Sequence, residues 1–247
     1  MTEGNRNTAL LIDADNASHH GIDAVLTVMA ELGEVNIRRA YGNWRKQALK
    51  GWVDKLHVYG IEPQQQFDMT KGKNATDMKM TIDAMDMLFS GRVNGFGIMS
   101  SDSDFMPLAM RLRQDGYPVY GFGSAKTPEA FKAACSRFID VDALTRSDST
   151  RREGPAKGGD SESPSSNGKR GQVDDKLIAL LVDAYNASDR DERGFANMSQ
   201  VGQRAGNRSS FDVRNYGFSR LSDLFEAVPN FNTERRDDNQ LWVKRLR

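Results

Sequence analysis

The chain has 247 residues, 38% of them hydrophobic and 28% charged, which is ordinary for a soluble protein with one large or two small domains. Its 34 basic and 34 acidic residues give a net charge of zero, so a nucleic-acid partner must be argued from local charge. No apolar run could span a bilayer, the N-terminus lacks a secretory profile, and the single Cys135 excludes an intrachain disulfide and a thiolate zinc cluster, so we expect a cytoplasmic protein.

In the first part of the chain, short apolar runs alternate with segments of helical periodicity. The predicted strands are 8–12, 35–41, 60–67, 96–100, 118–122 and 138–141. The predicted helices are 22–32, 44–57, 76–90, 105–114 and 127–135. This alternation is typical of an α/β protein whose parallel sheet is covered on both faces by helices. Ligands of such sheets bind at the carboxyl ends of the strands.

Acidic residues stand at three places where this fold would gather them. Asp13 directly follows the first strand, Asp102 and Asp104 follow the strand 96–100, and Asp77 opens a helix after a polar loop. Clustered carboxylates raise one another's pKa unless a cation neutralises them, and ligands that offer only oxygen suit Mg²⁺ or Mn²⁺. Such ions generate hydroxide and stabilise phosphoryl oxygens during hydrolysis. The pattern therefore favours a divalent-metal site for phosphoryl chemistry.

The same residues also have purely structural interpretations. Asp77 could interact only with the positive end of its helix, and Asp102 with Asp104 could share the capping of the next one. Asn16 could cap a helix as readily as it could contact a substrate. Asp83, further along the helix of Asp77, is expected on a solvated face or in a polar contact beneath the site.

A basic loop precedes the helix of Asp77. Lys71 and Lys73 lie in this polar loop, MTKGKNAT, and two interpretations of them stay open. They are either ordinary loop charges or, beside an acidic site, the groups that hold a phosphate backbone.

Three motifs, taken together, resemble the NYN domain family of PIN-like nucleases. They are Asp-x-x-Asn at the end of the first strand, the Lys- and Gly-rich loop before the helix of Asp77, and Ser-x-Asp-Ser-Asp-Phe after the strand 96–100. A later strand ending in Gly-Phe-Gly completes the resemblance, which covers about 8–145. It implies a PIN-like fold and a divalent-metal ribonuclease. The residues that the family's acidic positions imply as catalytic and as ligands of Mg²⁺ or Mn²⁺ are Asp13, Asp77, Asp102 and Asp104, with Asn16 as a supporting polar group.

A segment without large apolar side chains follows this region. Residues 146–171 are rich in Gly, Ser and charged residues, and such a composition cannot bury enough surface to offset the entropy of ordering it. We therefore predict a flexible linker at 146–171 between a domain at 8–145 and a second domain at 172–247.

The second domain has a different pattern. Helical periodicity covers 174–188, 198–206 and 219–228, with Gly206 expected to end the second helix, and two short strands then flank the polar turn 235–239. Helices followed by a hairpin suggest a winged helix.

This part of the chain, at about 173–246, resembles the OST-HTH/LOTUS domain in MSQVGQRAG, NYGFSRLSDLFEAV and the closing hairpin. The resemblance implies RNA binding or docking of a protein partner. One set of residues could form a basic surface with a stacking aromatic, as readers of single-stranded RNA use, or could be a solvated helix face. This set is Arg204, Arg208, Arg214, Tyr216 and Arg220.

Three functions compete on this sequence. A metal-dependent endoribonuclease with an RNA-binding domain accounts for the acidic positions, the basic loop and the second domain together. A phosphatase of the haloacid-dehalogenase type would use Asp13 of Asp13-x-Asp15 as a nucleophile, but Ala17 stands where such enzymes usually carry Thr or Val. That interpretation also leaves the second domain without a role. The third is a binding or adaptor protein with a silent nuclease fold, and the presence of every acidic position argues against it.

Overall fold

The computed structural model of the protein describes residues 7–67, 75–152, 173–236 and 239–246. The chain divides after Asp142 into two compact units. Within the described ranges, no helix is both long enough and apolar enough to cross a membrane.

The first unit is built on a parallel sheet. Its strands are β1 (Asn7–Asp13), β2 (Glu34–Gly42), β3 (Glu62–Gln65), β4 (Gly95–Met99), β5 (Val119–Gly123) and β6 (Arg137–Asp140). The helices that follow them in the chain are α1 (Ile22–Leu32), α2 (Lys50–Val58), α3 (Ala75–Ser90), α4 (Met106–Gln114), α5 (Glu129–Ala134) and α6 (Val141–Arg152). The strand order is β3-β2-β1-β4-β5-β6, and all neighbouring strands are parallel. The predicted α/β class is thereby confirmed.

The order of the strands fixes where a ligand site can form. The chain moves outward from β1 to β3 and then returns to the other side of β1, where Ile12 lies opposite Met99 of β4. Side chains in the middle of β1 and β4, such as Leu11 and Ile98, are fully buried because helices cover both faces of the sheet. The crevice beyond the carboxyl ends of β1 and β4 is the place where sheets of this kind bind ligands.

The single cysteine belongs to this core. Cys135 is buried, and burial raises the pKa of its thiol to about 12, because the thiolate is poorly solvated there. It therefore packs as a small apolar side chain.

The helix α6 extends beyond the predicted end of the first domain. It continues through Arg152, so the first part of the predicted flexible linker 146–171 is helical. A helix that has already formed adds residues at little cost, and its extension needs no apolar side chains. The rest of that segment lies outside the described residues, and the domain boundaries drawn from composition stay a prediction.

The part of the second unit that the structure describes after residue 172 contains three α-helices followed by a hairpin. Its elements are α7 (Asp175–Asn186), β7 (Ala196–Asn197), α8 (Met198–Arg208), α9 (Leu221–Ala227), β8 (Phe231–Arg235) and β9 (Leu241–Arg245). The three strands form an antiparallel sheet in the order β7-β9-β8. The arrangement is that of the predicted winged helix.

One helix boundary in this unit was predicted wrongly. The helix α8 does not end before Gly206 but continues to Arg208. Ala205 is fully buried in the core of the unit, and its carbonyl accepts a hydrogen bond from the amide of Ser209 at 3.2 Å. Packing of the preceding turn thus outweighs the low helix propensity of one glycine.

Candidate functional site

Carboxylates from two segments of the chain lie together beyond the carboxyl end of β4. Asp77 lies in the first turn of α3, and Asp102 and Asp104 lie in the loop between β4 and α4. Each of these three residues offers a carboxylate oxygen, and the three oxygens lie within 4.8 Å of one another. We call Asp77, Asp102 and Asp104 the acidic triad. Its members are half-buried or exposed, so solvent and a substrate can reach them.

The capping interpretation of the β4–α4 loop applies to one of its carboxylates. The Oδ1 atom of Asp102 accepts a hydrogen bond from the amide of Asp104 at 2.9 Å and caps the short 3₁₀ turn Ser103–Phe105. Asp102 therefore shapes the loop and also contributes an oxygen to the acidic triad. One carboxylate can serve both purposes because it has two oxygens and several lone pairs.

The electrostatics of the triad are unfavourable for three negative charges. The pKa of Asp77 is raised to about 6, first by burial and then by the charges of Asp13, Asp102, Asp104 and Asp15. Negative charges that raise a pKa in this way are neutralised by a proton or by a cation. The triad is therefore an attractive position for a positively charged ligand.

Asp13, the fourth predicted carboxylate, lies deeper than the triad. It is fully buried at the end of β1, and its Oδ2 atom accepts hydrogen bonds from Asn16 Nδ2 at 2.9 Å and from Ser100 Oγ at 2.7 Å. Its Oδ1 atom is buried and has no hydrogen-bond partner among the residues that the structure describes. Burial raises the pKa of Asp13 despite these two bonds. Asp13 does not belong to the triad, but its charge contributes to the raised pKa of Asp77.

Ser100 connects the buried carboxylate to the triad, a role that the sequence analysis missed. Its Oγ atom donates to Asp13 and accepts a hydrogen bond from the amide of Asp102 at 3.0 Å. The backbone of Ser100 is fixed in turn, because its amide donates to the carbonyl of Phe122 in β5 at 2.9 Å. A Cβ atom on Gly123 would lie 2.8 Å from the carbonyl oxygen of Ser100, so glycine permits this close approach. The position of Ser100 directly after a buried strand was the available sequence signal.

Asp15, to which the sequence analysis gave a place only in the phosphatase motif, joins the loop after β1 to α3. Its Oδ2 atom accepts a hydrogen bond from Thr76 Oγ1 at 3.1 Å, and Thr76 immediately precedes Asp77. Its Oδ1 atom forms an ion pair with Lys46 Nζ, also at 3.1 Å. Asp15 therefore helps to position the start of α3, and it also holds the ammonium group of Lys46.

A second group of charges anchors α3 to the sheet below the site. Asp83 is buried, and its carboxylate accepts hydrogen bonds from Tyr41 at 3.0 Å, from Arg39 at 3.2 Å and from Lys79 at 2.6 Å. Burial and the charge of Asp83 raise the pKa of the Tyr41 hydroxyl, which stays protonated and donates. Of the two interpretations offered for Asp83, the polar contact beneath the site is the one that the structure shows.

An open cleft of about 720 Å³ begins at the triad. Asp77 and Asp104 lie on its wall, and its other lining residues are largely apolar. They include Met78, Ile82, Met106 and Pro107. The predicted basic residues Lys71 and Lys73 lie outside the described residues.

The predicted basic surface of the second unit is only partly available to a ligand. Arg214 binds the buried carboxylate of Asp212 at 3.0 Å, and the half-buried Tyr216 ring packs 6.0 Å from that of Phe211. These contacts serve the fold of the unit. The exposed members of the set are Arg208, which pairs with Asp183 at 2.8 Å, Arg204 and Arg220.

Two family models match the chain. Residues 7–144 match the NYN domain, and residues 171–243 match the OST-HTH/LOTUS domain. Both resemblances drawn from the sequence are thereby confirmed.

Individual relatives are distant. An uncharacterized protein of Methanocaldococcus jannaschii is 25% identical over 126 residues, which are 49% of each chain, so the chain spans about half the length of this relative. A crystal structure of a Vibrio parahaemolyticus protein of unknown function is 17% identical, with a TM-score of 0.48, over 58% of this chain and 98% of that one. A solution structure of an uncharacterized Nitrosomonas europaea protein is 26% identical, with a TM-score of 0.28, over 37% of this chain and 93% of that one.

Proposed function

Because the chain belongs to the NYN domain family, we propose that it is an endoribonuclease that requires Mg²⁺ or Mn²⁺ and hydrolyses phosphodiester bonds of RNA. Membership in this family of PIN-like nucleases supports a nuclease, and the OST-HTH/LOTUS domain supports RNA binding. The observation that carries the metal-dependent part is the acidic triad at the crevice between β1 and β4. A cytoplasmic location is part of the same proposal.

The residues at the site fit a divalent cation of this kind. All three members of the triad are aspartates, and their carboxylate oxygens are the ligands that Mg²⁺ and Mn²⁺ prefer. The pKa of Asp77 is raised first by burial and then by neighbouring negative charges, and a cation would neutralise those charges. Asp77, Asp102 and Asp104 would hold the ion, and Asp13 would add negative charge from below.

The protein's own residues suggest a division of work during hydrolysis. A bound divalent ion would lower the pKa of water and neutralise charge on the phosphoryl oxygens. Ser100 and Asn16 hold the Oδ2 atom of Asp13, and its buried Oδ1 atom, which has no partner among the described residues, would accept a proton from water that enters the crevice. The raised pKa of Asp13 makes it a better general base than an exposed aspartate. Lys46, which pairs with Asp15 at 3.1 Å, would contact a phosphate of the substrate.

The proposal is tested by incubating the purified chain with labelled single-stranded RNA, the matching DNA and an RNA duplex, each with Mn²⁺, Mg²⁺ or EDTA. We expect cleavage of RNA with either metal ion and none with EDTA. The variant Asp102→Asn should lose cleavage while its RNA affinity stays level or rises, because one negative charge near the phosphates is removed. Asp86→Asn is the matched control, since Asp86 is exposed on α3 and lies about 13 Å along the helix from Asp77.

The outcomes separate this proposal from the two other functions. Cleavage by Asp102→Asn, in a preparation free of contaminating nuclease, would contradict the assignment of the site. Phosphatase activity with a phosphorylated Asp13 and no nuclease activity would instead favour the dehalogenase-type enzyme. RNA binding without cleavage, and without stabilisation by Mn²⁺, would favour the adaptor protein.

A further inference from the structure

An exposed aromatic ring lies on the side of the sheet where the strands have their carboxyl ends, as the acidic triad does. Phe67 follows the carboxyl end of β3, and 51% of its surface is exposed. The guanidinium group of Arg45, in the loop after β2, lies 5.9 Å from the centre of the Phe67 ring. Since β1, β2 and β3 are parallel neighbours, both residues stand at the edge of the sheet that carries Asp13.

The loop that carries Arg45 is held firmly against β3. The indole Nε1 of Trp44 donates to the carbonyl of Gln64, and the backbone amide of Trp44 donates to Gln65 Oε1, both at 3.1 Å. The side-chain amide of Gln65 also donates to Asn43 Oδ1 at 3.1 Å. Arg45 and Phe67 are therefore presented by a surface whose shape is set before a ligand arrives.

This surface is continuous with the acidic triad. Lys46 follows Arg45 in the same loop and pairs with Asp15 at 3.1 Å, and Asp15 accepts a hydrogen bond from Thr76, the neighbour of Asp77. We call Arg45, Lys46 and Phe67 the basic shelf. Lys46 is linked to the start of α3 through Asp15 and Thr76, and Arg45 and Phe67 follow the carboxyl ends of β2 and β3.

We propose that the basic shelf binds single-stranded RNA on one side of the cleavage position, with one unpaired base stacked on Phe67 and with Arg45 and Lys46 at the phosphates. This inference rests on the proposed nuclease function, which identifies the ligand as RNA. Cations alternating with an exposed aromatic ring are the means by which proteins hold single strands without reading sequence, because every base has a face that can stack. A base within a duplex is already stacked on its neighbours, so the shelf favours unpaired RNA.

The first experiment measures binding of the full chain to a labelled single-stranded RNA by fluorescence anisotropy in EDTA. Phe67→Leu should raise the dissociation constant roughly 5- to 100-fold, the range found when a stacking aromatic is removed. Phe89→Leu is the matched control, because Phe89 is 75% exposed but lies at the other end of α3 from Asp77. The affinity for an RNA duplex should be the same in all three proteins.

A second measurement identifies the contact itself. The RNA is made with a single abasic nucleotide placed at each position in turn. One position should reproduce the loss seen with Phe67→Leu, and combining the two changes should cause no further loss, because both remove the same stacking pair. Arg45→Gln should lower the slope of log affinity against log salt by about 1, as expected when one phosphate contact is lost.

The results distinguish the shelf from the nuclease proposal. Metal-dependent cleavage together with wild-type binding by Phe67→Leu would overturn the shelf and leave the nuclease intact. Loss of binding by Phe67→Leu in a chain that cleaves no RNA would support the shelf and contradict the nuclease. An equal loss of duplex and single-strand affinity would also overturn the shelf, since it would show that stacking is not involved.

Discussion

Acidification should weaken metal binding at the triad because Asp77 takes up a proton. The pKa of Asp77 is about 6 in the folded protein, above its ordinary value of 3.8. A group whose pKa is raised by folding contributes stability below its unfolded pKa, and this contribution is lost as the pH rises through the folded value. Without metal, Asp77 therefore makes the protein less stable as the pH rises through about 6. A bound cation removes this penalty, so stabilisation by the metal should be greatest above that pH.

The size of the effect follows from the ionised fraction of Asp77. A group with a pKa of about 6 is about 97% ionised at pH 7.5 and about 10% ionised at pH 5. The apparent metal affinity should then be about tenfold lower at pH 5, which corresponds to ~1.4 kcal/mol less stabilisation of the folded state. Asp77 is only half-buried, and solvent screens its neighbours, so this figure is an upper bound.

Thermal melts with and without Mn²⁺, at several pH values between about 5 and 7.5, measure this effect. The rise in melting temperature caused by Mn²⁺ should be large at the high end and small at the low end. Asp77→Asn should reduce the rise and flatten its pH dependence, whereas the control Asp86→Asn should behave as the wild type. An equal rise at both ends of the range, or an unchanged pH profile in Asp77→Asn, would refute the reasoning.

Three further predictions concern the buried carboxylate and the second domain. Ser100→Ala removes one hydrogen bond that lowers the pKa of Asp13, so the acid limb of the pH–rate profile should move to higher pH. Denaturant unfolding should show that the free energy of unfolding falls by about 1–2 kcal/mol. An unmoved acid limb would mean that Asp13 does not titrate in the reaction. Deleting 172–247 should weaken RNA binding and flatten its salt dependence in titrations, leaving cleavage at high RNA concentration; unchanged affinity would indicate a domain that docks a protein instead. Limited proteolysis, followed by mass spectrometry, should cut first within the predicted linker 146–171 and release two folded pieces, and resistance of that segment would argue against a linker.

The arrangement of the fold was largely predictable because its sequence signals are local. Each predicted strand of the first unit has a counterpart in the sheet. Continuous apolar runs mark β1, β4 and β5, which are buried on both faces, whereas β3 is a polar edge strand whose signal is weaker. The two-residue strand β7 was missed because so short a segment shows no periodicity. The helical start of the predicted linker was missed because a helix that continues from a packed turn needs no apolar side chain.

The chain positions of the acidic residues could be predicted from the sequence, but their depth and their hydrogen-bond partners could not. Asp77, Asp102 and Asp104 could be singled out because each stands at a strand end or a helix start. The depth of Asp13 below them is a product of packing. Hydrogen bonds such as that between Asp83 and Tyr41 join residues far apart in sequence, so no local sequence pattern predicts them.

Asp13 lies deeper in the site than the acidic triad, so ionic strength should affect the pKa values of the two kinds of carboxylate to different degrees. At physiological ionic strength, exposed charges more than about 8 Å apart are largely screened, whereas buried charges are screened much less. The triad oxygens lie within 4.8 Å of one another, so added salt should screen only part of their repulsion and should lower only the part of the Asp77 pKa shift that neighbouring charges cause. The pKa of Asp13 is raised mainly by burial, and salt leaves burial unchanged. Ionic strength should therefore move the pH range in which a cation binds by a small amount, and should move the pH range in which Asp13 accepts a proton by less.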